Sequence, residues 1–333
     1  MSTLSSSPPA KRARPNVGSA LKKQPVAPPP AVPDFDKGIQ YWDEVEASVN
    51  GVLGGFGEGP VPHIEQLSSR LLLLSLLPSL HTFPSPLTPF PPPRPKHRLT
   101  VLDVGAGIGR VTANTLLPLF EDVVLVEPVQ KFIQEGYANA RAGKWRDIPA
   151  AVTSDNDMSG KGKGNQDLDE GWRGKRVWFL RGGLQTLDPL RPQVGADSLG
   201  VLGRSEGGES SEGFGRPEGE VVYDVVWCQW CLGHLSSPEL VAFLKRARAS
   251  LRPDTRTTSD GSYETMLFVK ENVCEDGPGG QATEFLDEQD SSLTRSNAKW
   301  LEVFREAGLE VIREEVQIGM PSELFVVKTW ALR

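Results

Sequence analysis

The decapeptide Val101-Leu-Asp-Val-Gly-Ala-Gly-Ile-Gly-Arg110 constrains this chain more than any other stretch, because an apolar run ending in three alternate glycines folds in few ways. It predicts a buried strand, a tight turn and the opening of a helix, a corner that holds nucleotide-like ligands. Gly105, Gly107 and Gly109 permit positive φ and let a ligand approach with no Cβ in the way. The spacing is G-x-G-x-G rather than the G-x-G-x-x-G of dinucleotide folds. Position 110, where the third glycine of that fold would help admit a pyrophosphate, holds Arg110, a cation suited to a carboxylate. Taken alone, the loop also fits a structural corner in any α/β protein.

The flanking sequence alternates strand and helix signals. Asp122-Val-Val-Leu-Val-Glu127 reads as the second strand, and Glu127 lies 24 residues after Asp103, where doubly wound folds place an acid that accepts both ribose hydroxyls. Arg176–Leu180, Val221–Trp227 and Thr265–Lys270 read as further strands, and Leu309–Val316 and Leu324–Leu332 as the last two. Helices are expected over Arg110–Phe120, Val129–Ala140, Pro238–Leu251 and Leu293–Ala307, which together imply a mostly parallel sheet. Before the first strand, Ile39–Val45 reads as a short amphipathic helix and Val49–Gly57 as an apolar, glycine-rich loop suited to a lid. Ser68–Leu77 then reads as a helix capped by Ser68.

Prolines and glycines, 28 and 34 of the 333 residues, fall in clusters that mark tails and surface insertions. Residues 1–34 form a basic Pro/Ser-rich tail expected to be disordered, and 35–333 one domain with insertions near 78–98, 141–174 and 191–220. The first 33 residues carry five basic side chains and no acid, so the body is more negative than the chain's net −7, and nucleic acid is not an expected partner. Lys11-Arg-Ala-Arg14 resembles a nuclear-import signal as much as a solubilising tail, so the location expected is cytoplasm, nucleus or both. The most apolar run, Leu71–Leu77, is far shorter than the ~20 residues a bilayer needs, so no membrane span is expected. Cys228-Gln-Trp-Cys231 lacks a second ligand pair and the four histidines show no ligand spacing, so no metal is expected.

Tyr41-Trp42, Asn50-Gly-Val-Leu-Gly-Gly-Phe-Gly57, Ser68-Ser-Arg70, Leu102–Arg110, Gly183-Leu-Gln185, Gln229-Trp230, Gly233-His-Leu235, Lys270-Glu-Asn272 and Asp290-Ser-Ser292 together resemble one family. It is the eukaryotic protein N-terminal methyltransferases, which act on chains beginning Xaa-Pro-Lys after loss of the initiator Met. The likeness covers nearly all of 38–333. It implies a Rossmann-like, seven-stranded methyltransferase fold with an N-terminal helical extension, S-adenosylmethionine as cofactor, and proteins with free Xaa-Pro-Lys N-termini as partners. It places Gly105, Arg110 and Gln229 at the methionine end of the cofactor, Glu127 on the ribose with Pro128 and Val129 beside it, and Leu184 and Gln185 by the adenine. The same likeness assigns substrate work to Trp230, Asn272 and Ser292, and catalysis to Asp290 and His234; Trp42, Glu271 and Asp287 are expected at the substrate as well. Glu127 and Glu271 stand where the family usually has Asp, and Phe56 and Phe325 where Tyr is common.

Chemistry accounts for these residue types. Methyl transfer to an amine needs a free lone pair, but an α-amine of pKa about 7.7–8.0 is mostly protonated at neutral pH. Asp290 and His234 can each accept that proton, directly or through water. From the residues alone, Asp290 could equally cap the helix that follows it. Trp230 offers a flat wall for the substrate Pro, Asn272 an amide for the peptide backbone, and Asp287, Glu288 or Glu271 an acidic mouth for Lys. Two other readings stay open at this point: a methyltransferase for another amine, such as a lysine side chain or a metabolite, and a cofactor-binding module without catalysis.

Overall fold

The computed structural model describes residues 32–81, 95–149, 174–203, 219–253 and 265–333. Among these, ten strands form one sheet: β1 (Thr100–Val104), β2 (Asp122–Glu127), β3 (Arg176–Arg181), β4 (Asp197–Gly203), β5 (Val225–Gln229), β6 (Met266–Cys274), β7 (Glu284–Asp287), β8 (Ser292–Ser296), β9 (Val311–Val316) and β10 (Val326–Leu332). Their order is β4-β3-β2-β1-β5-β6-β10-β9, with β8 paired to β6 and β7 to β8. The seven-stranded core anticipated from sequence is present: β3, β2, β1, β5 and β6 run parallel, and β10 lies antiparallel between β6 and β9. β4 and the β7–β8 ladder are additions to it.

β1 and β5 are buried at every position, which both faces of a parallel sheet require. Successive side chains point to opposite faces. Leu102, Val104, Val124 and Val126 therefore pack with α5 (Ser237–Ala249) and α6 (Asn297–Glu306). Val101, Val123 and Leu125 pack with Leu72 and Leu73 of α3 (Val61–Leu76) and Ile133 of α4 (Gln130–Arg141). Two shorter helices, α1 (Phe35–Glu44) and α2 (Val49–Val52), lie over the carboxyl end of the sheet, where Trp42 and Val52 pack on Ile108, Val129 and Phe132. No described helix is long and apolar enough to cross a membrane.

Several local expectations are corrected. Ser68 is not a cap: α3 starts eight residues after Leu53 with Val61-Pro62, and Ser68 bonds back to the Glu65 carbonyl at 3.0 Å in mid-helix. The stretch after Arg110 is a wide π turn over Thr112–Leu116, closed by Leu117 N–H to Thr112 O at 2.9 Å, with Thr112 Oγ1 donating to buried Asp103. The lid segment contains α2, capped by Ser48. Part of the third insertion is β4, which covers the exposed edge of β3. The expected helix from Leu293 is strand β8 followed by α6, whose cap is Ser296 accepting from Lys299 N–H. Helix α1 begins at Phe35, with Asp34 as its cap, the carboxylate accepting from Lys37 N–H at 3.1 Å. The tail 1–31 and the middles of the three insertions lie outside the described residues.

Candidate active site

The glycine loop leaves β1 with all three glycines at positive φ, +60°, +59° and +77°. A Cβ on Gly105 would sit 2.2 Å from Cys231 Cβ, and one on Gly109 2.5 Å from the Trp145 ring, so these two are also required by packing. A Cβ on Gly107 would meet only Val52 at 3.9 Å, so that position faces open space. The space is a cavity at the carboxyl ends of β1, β2 and β5, roofed by α1 and α2. Gly105, Arg110, Glu127, Pro128, Val129, Leu184, Gln185 and Gln229 all line it, so every cofactor residue anticipated from sequence converges on one place.

The polar lining suits an aminoacyl nucleoside. Glu127 is buried, its Oε2 accepting from Gly107 N–H and its Oε1 from Val129 N–H, both at 2.8 Å. Burial pushes its carboxyl up to about 7, against the pull of those two bonds. Each oxygen keeps a lone pair for a ribose hydroxyl. Asp103 is also raised to about 7 by burial, its Oδ2 accepting from Thr112 Oγ1. Arg246 of α5 donates to the carbonyls of Leu184, Gln185 and Leu187 at 2.9, 3.2 and 2.9 Å and so fixes the turn at the far end of the cavity.

At the opposite end the structure adds a residue that sequence reasoning missed. Glu65 of α3 is fully buried, pairs with Arg110, accepts from the Gln229 amide at 2.9 Å and lies 3.6 Å from Lys270 Nζ. Lys270 is itself fully buried and donates to Glu65 O at 3.1 Å and Ser69 Oγ at 3.0 Å; burial, and then the charge of Arg110, bring its pKa down to about 7. Burial lowers the Arg110 guanidinium to about 10, still charged at neutral pH. One carboxylate thus holds two cations at the spot where a ligand carboxylate would arrive.

A second cavity adjoins the first across a shared wall of Trp42, Val52, Trp230 and His234. The two are of nearly equal volume. Glu271, Asn272 and Ser292 line the second. Trp230 adopts φ +55°, a strained conformation for a bulky residue and one found at functional sites. Asp290 is buried and lines neither cavity; its Oδ1 accepts from Ser292 Oγ at 2.7 Å, which puts the carboxylate one hydroxyl away from the wall. With Ser296 capping α6, Asp290 has no capping duty there.

Two of the acids anticipated for a lysine-binding mouth are placed differently. Glu271 is buried, and its Oε1 accepts from Cys231 and Leu232 N–H, both at 2.8 Å, so it caps the 3₁₀ turn that ends in His234 rather than facing solvent. Asp287 lines neither cavity, and its Oδ1 accepts from Gln289 N–H at 2.9 Å in the exposed turn after β7, next to exposed Glu288. Phe325 stacks on Phe285 at 5.7 Å, away from the wall, whereas Phe56 lines the second cavity. Cys228 and Cys231 are free and buried, and burial pushes both thiols well up, so neither is a thiolate.

The first cavity lies outside the carboxyl ends of parallel strands, where open, Rossmann-like α/β sheets bind ligands, and an aromatic wall joins it to a second cavity. The family described as AdoMet dependent proline di-methyltransferase matches residues 33–147 and 213–333, and the gap spans β3 and the Leu184–Gln185 turn as well as parts of the insertions on either side. Alpha N-terminal protein methyltransferase 1 of Arabidopsis thaliana is 31% identical over 90% of this chain and 79% of its own length. The N-terminal Xaa-Pro-Lys N-methyltransferase 1 of Rattus norvegicus is 28% identical over 90% and 95%. A solved S-adenosylmethionine-dependent methyltransferase of Leishmania major superposes with a TM-score of 0.56 at 25% identity, covering 90% of this chain and 82% of that one. The chain belongs to the AdoMet-dependent proline di-methyltransferase family and is an S-adenosylmethionine-dependent N-methyltransferase.

Proposed function

We propose that this enzyme methylates the free α-amine of proteins beginning Xaa-Pro-Lys, and that the two cavities meeting at Trp42, Trp230 and His234 carry the reading. S-adenosylmethionine supplies an electrophilic methyl group on a sulfonium. Arg110 and Gln229 hold its amino-acid end, Glu127 its ribose, and Leu184 with Gln185 its adenine. From the other cavity an N-terminus reaches the shared wall, with Asn272 bonding the peptide backbone and the tryptophans flanking a proline ring.

Proton removal follows from one hydrogen bond. Ser292 gives its O–H to Asp290, which turns the Ser292 lone pairs toward the cavity, where they accept an amine N–H. Asp290 then receives the proton through Ser292, and the neutral amine attacks in line. A protein lysine would need to thread a long chain to the same point, whereas an N-terminal amine followed by a rigid Pro fits an aromatic wall. Asp287 and Glu288 are left to attract Lys at the third position. The relatives' names give the same substrate class. For location the support is the Lys11-Arg-Ala-Arg14 tail, consistent with entry into the nucleus from the cytoplasm.

The test is a pair of peptides, Ser-Pro-Lys and Ser-Ala-Lys, each incubated with protein and cofactor. Methyl transfer should depend on the proline. Equal rates for the two would remove the tryptophan wall from recognition and overturn the reading.

A further inference from the structure

Trp42 projects from α1 across the shared wall, and its indole Nε1 donates to Nε2 of His234 at 3.1 Å. An indole nitrogen can only donate, so the imidazole nitrogen it meets carries a lone pair and no proton. A neutral ring that accepts at Nε2 carries its proton on Nδ1, which faces α1 at Gly38, where an added Cβ would lie 3.3 Å from Nδ1. We infer that Trp42 holds His234 as the neutral imidazole protonated at Nδ1, which makes Trp42 a positioning residue and leaves proton acceptance to Asp290 acting through Ser292.

The surroundings make that restraint necessary. Ionisable groups lie on the elements around this turn: Tyr41 of α1 beside Trp42, Glu271 of β6 capping the turn on which His234 sits, Asp290 before β8, and Arg295 of β8, which donates to the Leu232 and Leu235 carbonyls at 3.2 and 2.5 Å. The Asp290 and Asp287 charges are near enough to add to the effect of burial in raising the Tyr41 hydroxyl. The carboxylates favour the imidazolium and the Arg295 cation opposes it. Protonation at Nε2 would point a new N–H at the Trp42 N–H, setting donor against donor, and the indole thereby opposes it. A neutral ring matters because methyl transfer turns the amine into a cation at this wall, and an imidazolium there would repel it.

The tautomer is a property of the protein alone; its catalytic consequence rests on the α-amine reading. The direct test is nitrogen NMR of the full chain labelled with ¹⁵N-histidine, with His234→Gln used to assign the signal among the four histidines. The wild type should show His234 neutral and protonated at Nδ1 from about pH 8 down past about pH 6.5, the unperturbed histidine value. Trp42→Phe keeps an aromatic ring and removes the N–H. In it, His234 should titrate at or above that value, and kcat/KM should gain an acid limb, falling about fourfold from its own plateau by pH 6. An Nε2-protonated or charged His234 in the wild type at neutral pH overturns the inference, as does a Trp42→Phe variant with an unmoved titration. If the tautomer is as stated but Ser-Pro-Lys is not methylated, the substrate reading has failed and the restraint by Trp42 stands.

Discussion

Replacing Glu65 by Leu should destabilise this enzyme more than any surface change, because the carboxylate lies between two largely buried cations. The Glu65 and Lys270 side chains are 0% exposed and Arg110 only 10%. Breaking a buried pair by removing one partner costs about 3–5 kcal/mol, and the Gln229 amide loses an acceptor as well. Lys270, already down to about 7, can release its proton and relieve part of the strain, so the lower end, about 3 kcal/mol, is expected. At roughly 2–4 °C per kcal/mol for a domain of this size, the melting midpoint should fall by about 6–12 °C. Thermal and urea unfolding of wild type, Glu65→Leu, and Glu65→Leu combined with Lys270→Met measure this. The double variant removes the Lys270 charge as well but leaves Arg110 without its carboxylate, so it should recover part of the loss. A single variant melting within about 2 °C of wild type, or a double variant no better than the single, would refute the idea that Glu65 offsets buried charge.

Three other outcomes follow from the site. Asp290→Asn keeps a hydrogen bond to Ser292 but cannot take a proton, so kcat should fall about 10²–10⁴-fold, with the defect shrinking as pH rises through the amine pKa of about 7.7–8.0; a flat pH–rate profile near wild-type level would place the acceptor elsewhere. Arg110→Ala removes a charge-assisted bond contributing roughly 1.5–3 kcal/mol, so S-adenosylhomocysteine should bind roughly 10- to 150-fold more weakly by calorimetry; unchanged affinity would take Arg110 out of the site. Glu127 titrates at about 7 in the free protein, and ribose bonding favours its ionised form. Binding therefore releases a proton, and affinity should rise as pH goes from about 6 to about 8. Glu127→Gln should lose that slope; if it keeps it, another group is titrating.

What could be read from the sequence was what is local. β1, its glycine turn and β2 with Glu127 are contiguous in sequence, so the loop from Gly105 to Arg110 and the acid ending β2 are legible from local spacing, whereas Leu184, Gln185 and Gln229, after β3 and at the end of β5, come only with the family resemblance; all line the one cavity. The misses came from pairings distant in sequence. β4 and β8 are short, and their partners β3 and β6 decide them, so β8 was absorbed into the helix that follows and β4 into an insertion. Glu65 was passed over because α3 was started at Ser68 instead of at the Val61-Pro62 signal. Begun there, the buried stripe runs Val61, Glu65, Ser69, Leu72 and Leu73, and a lone acid on an apolar stripe was the available sign. Glu271 reads from the sequence as one acid of a lysine-binding mouth because nothing in one sequence tells a solvated carboxylate from one that caps a turn 40 residues away.

The central claim is that the nucleophile is a free α-amine, and mass spectrometry of one peptide in two forms tests it most directly. A Ser-Pro-Lys peptide, free and N-acetylated, is incubated with the enzyme and S-adenosylmethionine under identical conditions. The account predicts added methyl groups on the free peptide, located by fragmentation to the N-terminal residue, and none on the acetylated one. Methylation of the acetylated peptide, or fragments carrying the methyl on Lys, would contradict it.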